Sequence, residues 1–210
     1  KNHYYLFGPS VSPELHMKHS PIKLVILIDV LEHIHGGAEL QVYELIKNLD
    51  KNQFSVQLFI LHQDYVPEEI LRISPGAKAF GVKRIYDFSA FFTGSRFLKF
   101  LKTQKTDILM TYHFASDIWG TFWGKLAGVR VILSNRRDMG FWKKKIHVFA
   151  YKAINPFVSK IVVVSKSVRN ILLEQEELPE NKIEVIYNGI DHQKYKSCED
   201  TESRDSLRGN

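Results

Sequence analysis

The side chains with the most chemistry to offer stand just after apolar runs. His33, His35 and the pair Gly36-Gly37 follow Leu24-Val25-Ile26-Leu27-Ile28; His113 follows the run that begins at Asp107. Asn135-Arg136-Arg137-Asp138 come after the run 129–133, and Ser165 after 160–164. A glycine pair at the start of a helix lets backbone approach a ligand with no Cβ in the way, and the free N–H groups of a first helical turn favour an anion. The same pair also makes a turn tight enough to begin a crossover, and spacing alone does not choose between the two uses. Arg136 and Arg137 suit a phosphate or carboxylate, which a guanidinium grips through two parallel hydrogen bonds; surface ion pairs with Asp138 are the competing use. His113 either meets a ligand or makes one hydrogen bond to a neighbouring loop. Glu32, His33, His35 and His113 lack a diagnostic ligand spacing, so no metal site is expected.

These residues need a scaffold that brings strand ends together. The run 24–28 is short, largely β-branched and uncharged, which predicts a strand buried on both faces of a parallel sheet. From Ala38 the apolar positions Ala38, Val42, Leu45 and Leu49 recur at helical spacing. The alternation continues, with strands predicted over 54–61, 79–85, 107–111, 129–133, 160–164 and 182–187. Helices are predicted over 67–73, 96–102, 116–126, 141–154 and 165–174, the last capped by Ser165. Segment 87–94 reads as a loop. Strands separated by helical segments predict βαβ crossovers and an α/β, doubly wound, mostly parallel sheet, whose ligands sit beyond the carboxyl ends of the strands.

Composition narrows the classes of function. The 210 residues are 44% hydrophobic, enough for a real core, and no apolar run approaches the roughly 18 residues of a membrane-spanning helix. The single cysteine, Cys198, excludes an internal disulfide framework and fits a reducing, cytoplasmic compartment. A formal charge of +6 favours anionic partners. Nucleic acid is not expected among them, because the basic residues are not interleaved with stacking aromatics on one strand face. Residues 1–20 show neither a helical nor a strand period, and His16-Met17 resembles a cloning junction, so we expect a leader with the native chain starting at Met17.

The ordered set His35-Gly36-Gly37-Ala38-Glu39, Thr111-Tyr112-His113, Val163-Val164-Ser165-Lys166-Ser167-Val168 and the segment reading Ile-Glu-Val-Ile-Tyr-Asn-Gly-Ile-Asp from Ile183 resembles the N-terminal half of a GT-B fold glycosyltransferase of family 4. The resemblance spans about residues 22–195. It implies a Rossmann-like domain over 21–195 that mainly holds the acceptor, with 196–210 leading into a second domain that holds a nucleotide-sugar donor. It implies retaining transfer to a saccharide or lipid-linked acceptor in polysaccharide or glycolipid synthesis, with no metal and no cofactor, the nucleotide sugar being a substrate. By the same resemblance Gly36 and Gly37 face the donor diphosphate and His113 lies near the transferred sugar. Arg136 and Arg137 meet acidic acceptor groups, while Glu39, Asn188 and Asp191 are structural. The 210-residue chain alone is then expected to fold without transferring sugar.

Alternatives stay open. A nucleotide-sugar epimerase or a phosphorylase shares such an architecture, and a non-catalytic sugar- or phosphate-binding module fits the same residues. A dinucleotide oxidoreductase fits less well, since the loop lacks the three-glycine spacing. The basic stretch from Trp142 to Lys152 places Trp142, Ile146, Phe149, Ala150 and Ala153 on one side. That side either packs on the sheet with the lysines in water, or rests peripherally on the anionic inner face of a membrane.

Overall fold

The computed structural model describes residues 20–33 and 37–189. Seven parallel strands form one sheet in the order β3-β2-β1-β4-β5-β6-β7. They are β1 (Ile22–Ile28), β2 (Phe54–Ile60), β3 (Lys78–Ala79), β4 (Ile108–Tyr112), β5 (Val131–Arg136), β6 (Lys160–Val163) and β7 (Ile183–Val185). The helices between them are α1 (Gly37–Asn48), α2 (Glu68–Ile73), α3 (Phe88–Gln104), α4 (Phe114–Ala127), α5 (Lys145–Ile154) and α6 (Lys166–Glu176).

The central strand explains the two-layered core. Alternate side chains of β1 point to opposite faces. Leu24, Ile26 and Ile28 join Val42, Ile46, Leu58 and Ile70 under α1 and α2. Val25 and Leu27 join Phe59, Phe97, Trp119 and Ile161 under the helices of the other face. The chain changes face between β1, which leads into α1, and β4, which leads into α4. That switch point opens a crevice at the carboxyl edge of the sheet.

Several elements depart from the sequence reading for identifiable reasons. The third strand shrinks to two residues because the chain turns at Gly81 (φ 63°), while the Phe80 N–H still donates to the Ile60 carbonyl at 2.9 Å. α3 begins at Phe88, so 87–94 is mostly helix rather than loop. Its buried stripe, Ala90, Gly94, Phe97 and Leu101, has clear helical spacing. Exposed Phe88, Phe91 and Phe92 on the opposite side blur that stripe in the sequence. β5 continues to Arg136, since its polar end is satisfied internally; the Asn135 amide, for instance, donates to the Thr111 carbonyl at 3.2 Å.

α5 is both shorter and turned relative to expectation. It buries Tyr151 and Ile154, whereas Ile146 is 65% and Phe149 69% exposed. The side that was to pack on the sheet faces outward, because Tyr151 anchors the helix through ring and hydroxyl contacts described below. Ser165 caps α6 as predicted, its hydroxyl oxygen accepting from the Val168 N–H at 3.2 Å. The expectations for the leader, for His35, Gly36 and Asp191, and for 196–210 lie outside the described residues.

Candidate functional site

A cavity of about 230 Å³ opens at the carboxyl edge, over the ends of β1, β4 and β5. Its wall includes Asp29 after β1, His113 after β4, and Asn135, Arg136, Arg137 and Asp138 at the end of β5. Three of the residues singled out from the sequence, His113, Arg136 and Arg137, therefore meet in one place. Gly37 opens α1, and among the described residues outside its own helix none comes within 4 Å of a Cβ added there.

His113 occupies the position just before α4 with φ 72° and ψ 169°. That region is populated almost only by glycine, and a side chain held there costs about 1–3 kcal/mol. The strain is fixed from both sides. The His113 carbonyl accepts from the Asp117 N–H at 2.9 Å, and the Asp29 carboxylate accepts from the Ser116 and Ala115 N–H groups at 2.6 and 3.1 Å. Asp29 thus neutralises the start of α4 and holds the His113 turn at the cavity wall.

The two arginines have different surroundings. Arg136 is buried: its Nη1 donates to Glu176, its Nη2 to Asn155 Oδ1 at 2.6 Å and its Nε to the Ser134 hydroxyl at 3.2 Å. Its guanidinium lies 3.8 Å from the Tyr151 ring centroid. Lys143 approaches the other Glu176 oxygen at 3.2 Å and the same ring at 4.7 Å. Asp117 completes the cluster, accepting from the Thr111 hydroxyl at 2.5 Å and the Tyr151 hydroxyl at 3.3 Å, with the Arg136 Nε at 3.9 Å. Two cations and two carboxylates balance. Burial raises the Asp117 carboxyl to about 6 against the pull of Arg136 and its hydroxyl donors, and burial also lifts the Tyr151 phenol well above its usual value.

Arg137 is half-buried and donates to the Asn188 side chain. Desolvation lowers its pKa, opposed by the nearby Tyr112 and Glu39. Of the pair, Arg137 is the more exposed, at the rim of the cavity. Arg136 braces the floor. Asp138 accepts from the Gly140 N–H at 2.6 Å and the Trp142 indole at 3.2 Å, shaping the loop that closes one side. Among the described residues no group of three or more His, Cys, Asp or Glu is placed to hold a metal ion.

Sequence reasoning missed Asp29, Tyr151 and Glu176. Asp29 carried a signal, since it directly follows the first buried strand. Glu176 carried none: its partner Arg136 is 40 positions away, and nothing in a helix end announces a buried carboxylate.

A parallel sheet in this strand order, with a polar cavity at its switch point, defines a Rossmann-like α/β domain. Residues 35–194 match the model of Glycosyltransferase Family 4, and the chain belongs to that family. An Escherichia coli protein, UDP-Gal:alpha-D-GlcNAc-diphosphoundecaprenol alpha-1,3-galactosyltransferase, is 25% identical over 189 residues, covering 84% of this chain and 47% of its own. The crystal structure of Anabaena HepE in complex with UDP superposes with a TM-score of 0.69 at 14% identity, over 89% of this chain and 50% of HepE. The UDP-GlcNAc 2-epimerase of Methanocaldococcus jannaschii superposes with a TM-score of 0.58 at 15% identity, over 78% and 45%. The chain spans about half the length of these relatives, and in the Escherichia coli protein the half it matches is the N-terminal one.

Proposed function

We propose that this chain is the acceptor-side half of a retaining glycosyltransferase. It passes a sugar from a nucleotide sugar to a saccharide or lipid-linked acceptor in polysaccharide or glycolipid synthesis. One observation carries the reading: His113 is held in a strained backbone conformation at the wall of the switch-point cavity, in a chain of this family. The names of relatives point to uridine diphosphate as the nucleotide class.

His113 is the catalytic residue of this proposal. It hydrogen-bonds a hydroxyl of the transferred sugar and steadies the charge that develops as the bond to the diphosphate breaks. The acceptor oxygen forms its bond to the anomeric carbon on the face the diphosphate leaves, and its proton passes to a diphosphate oxygen. Gly36 and Gly37 bind that diphosphate. Arg137 takes the anionic group of the acceptor, and Arg136 holds the floor through Glu176, Asn155 and Tyr151. Much of the rate then comes from positioning, since the two carboxylates that line the cavity are already engaged, Asp29 by the Ala115 and Ser116 N–H groups and Asp138 by the Gly140 N–H and the Trp142 indole.

The test uses the full-length protein with a panel of nucleotide sugars, scored for nucleotide release with and without glycolipid acceptors. One donor should be consumed, with kcat about 10²-fold lower in His113→Ala. Arg137→Ala should mainly raise the acceptor KM. Release unaffected by His113→Ala would overturn the assignment, and conversion of the nucleotide sugar without any acceptor would replace transfer with epimerisation.

A further inference from the structure

The loop from β5 to α5 holds one indole half out of the protein. Trp142 lines the cavity wall and stays 45% exposed, whereas Trp119 and Trp123 are buried. Leaving so large an apolar ring partly uncovered forgoes hydrophobic stabilisation that burial would supply. The loop is nevertheless built to keep it there. The indole N–H donates to Asp138 Oδ2 at 3.2 Å, and the other Asp138 oxygen accepts from the Gly140 N–H at 2.6 Å. Gly140 adopts φ 69°, and its carbonyl accepts from the Lys143 N–H at 2.9 Å, closing a turn that contains Trp142. Lys143 pins the end of that turn, its ammonium buried against Glu176 at 3.2 Å. Phe114 and His147 meet the indole at 5.6 and 5.3 Å between centroids, at interplanar angles of 75° and 58°. Neither ring lies parallel to it, so among the described residues no aromatic ring is stacked on its faces.

A fixed indole in a polar cavity suits a ring with apolar C–H groups on its faces and polar groups at its rim, which describes a pyranose. The rest of the wall narrows the choice. Arg137 stands in the same wall and calls for an anion, and His113 offers an imidazole to a hydroxyl. An alkyl chain would cover the indole but leave these polar groups unpaired. A nucleoside phosphate separates its base from its phosphate by a whole ribose. The cavity, at about 230 Å³, is smaller than the roughly 300–1,000 Å³ that ligands of that size occupy. A pyranose 1-phosphate sets ring and anion side by side.

We propose that Trp142 determines acceptor specificity: the pyranose of a glycosyl phosphate stacks on its indole while Arg137 holds the phosphate. This rests on the reading of the cavity as the acceptor side of a sugar transferase, and it adds the acceptor's class, a sugar carrying its phosphate or diphosphate directly on the ring. The recognised unit is the sugar phosphate itself, whatever group lies beyond the phosphate.

Calorimetric titration of the full-length protein, with no nucleotide sugar present, tests the proposal apart from turnover. The probes are the 1-phosphates of glucose, galactose and N-acetylglucosamine, with glycerol phosphate supplying the anion without the ring. At least one sugar phosphate should bind more tightly than glycerol phosphate. Trp142→Leu should weaken that sugar phosphate about tenfold and leave glycerol phosphate within about twofold, whereas Trp142→Phe, which keeps a ring but no N–H for Asp138, should lose no more than about threefold. Arg137→Ala should weaken both ligands. The acrylamide-quenched fluorescence that wild type shows beyond Trp142→Phe should be shielded when the sugar phosphate binds. Equal losses of sugar phosphate and glycerol phosphate in Trp142→Leu would reduce the residue to a support of its loop and overturn the proposal. So would failure of every sugar phosphate to bind, or a Trp142-dependent loss confined to uridine monophosphate. Unchanged sugar-phosphate binding in Trp142→Leu beside normal sugar transfer would overturn this inference alone, while absence of transfer in the wild type would count against the proposed function and leave the titration to be read by itself.

Discussion

His113 combines an imidazole at the cavity with a backbone conformation that glycine adopts freely, and the two can be separated by substitution. His113→Ala removes the ring and keeps the strain, whereas His113→Gly removes both. Relief of the strained φ outweighs the extra freedom glycine gives the unfolded chain. His113→Gly should therefore be about 1 kcal/mol more stable than His113→Ala in urea denaturation. Equal stabilities would show that the turn relaxes once the ring is gone.

Asp117 offers a second test at this scale. Its carboxyl sits at about 6 in the folded protein against 3.8 as the reference value, so the folded state holds that proton more tightly than the unfolded state. The sign follows: stability from this group is greatest below 3.8, declines as pH rises through the window to about 6, and has been lost above it. Asp117→Asn carries no titration. Its denaturation midpoint will be shifted by altered hydrogen bonds at every pH, but the wild type should lose stability relative to the variant across pH 4–6. Parallel pH profiles would place the Asp117 carboxyl at its ordinary value.

Among the elements, α3 and α4 approach closely enough for one glycine to decide their contact. A Cβ on Gly94 would lie 2.0 Å from the Trp123 ring, which is buried and edged by Trp119, Phe91 and Phe122. Helix propensity alone predicts that Gly94→Ala stabilises by about 1 kcal/mol, but forcing a buried indole aside costs about 1–3 kcal/mol. The overlap should win, giving a net loss of about 1–2 kcal/mol in thermal unfolding. Trp123→Phe in the same chain should recover much of that loss, a coupling that two independent sites would not show. The same helix marks where the sequence was and was not legible. Strands buried on both faces announce themselves as apolar runs, and hence the parallel α/β class and the rim carrying His113 and Arg137 could be read. The first turns of α3 and the outward side of α5 could not, because exposed phenylalanines imitate a core stripe and erase the contrast on which periodicity depends. The burial of Arg136 was illegible for the converse reason: it depends on Glu176 and Asn155, distant in sequence and silent until the chain folds.

Across the whole molecule, β1 ties the two cores together. Val25 and Leu27 enter the core beneath α3 to α6, while Leu24, Ile26 and Ile28 enter the one beneath α1 and α2. Neither layer can open without exposing one side of this strand, which pairs with β2 and β4 along its length. The tryptophans make the coupling measurable, since Trp119 and Trp123 lie in the first core and Trp142 meets Phe114 edge to face beside it. Their fluorescence reports one face of the sheet, whereas far-ultraviolet circular dichroism reports both. If β1 makes the domain a single cooperative unit, the two signals should trace the same urea transition with the same midpoint and slope. Substituting β1 should move them together: Leu27→Ala, which empties space on the tryptophan side, and Ile26→Ala, on the other, should each cost about 2–5 kcal/mol and keep the two curves coincident. A fluorescence transition that comes earlier in Leu27→Ala, with dichroism lagging behind, would instead mean that α1 and α2 keep their side of the sheet folded alone.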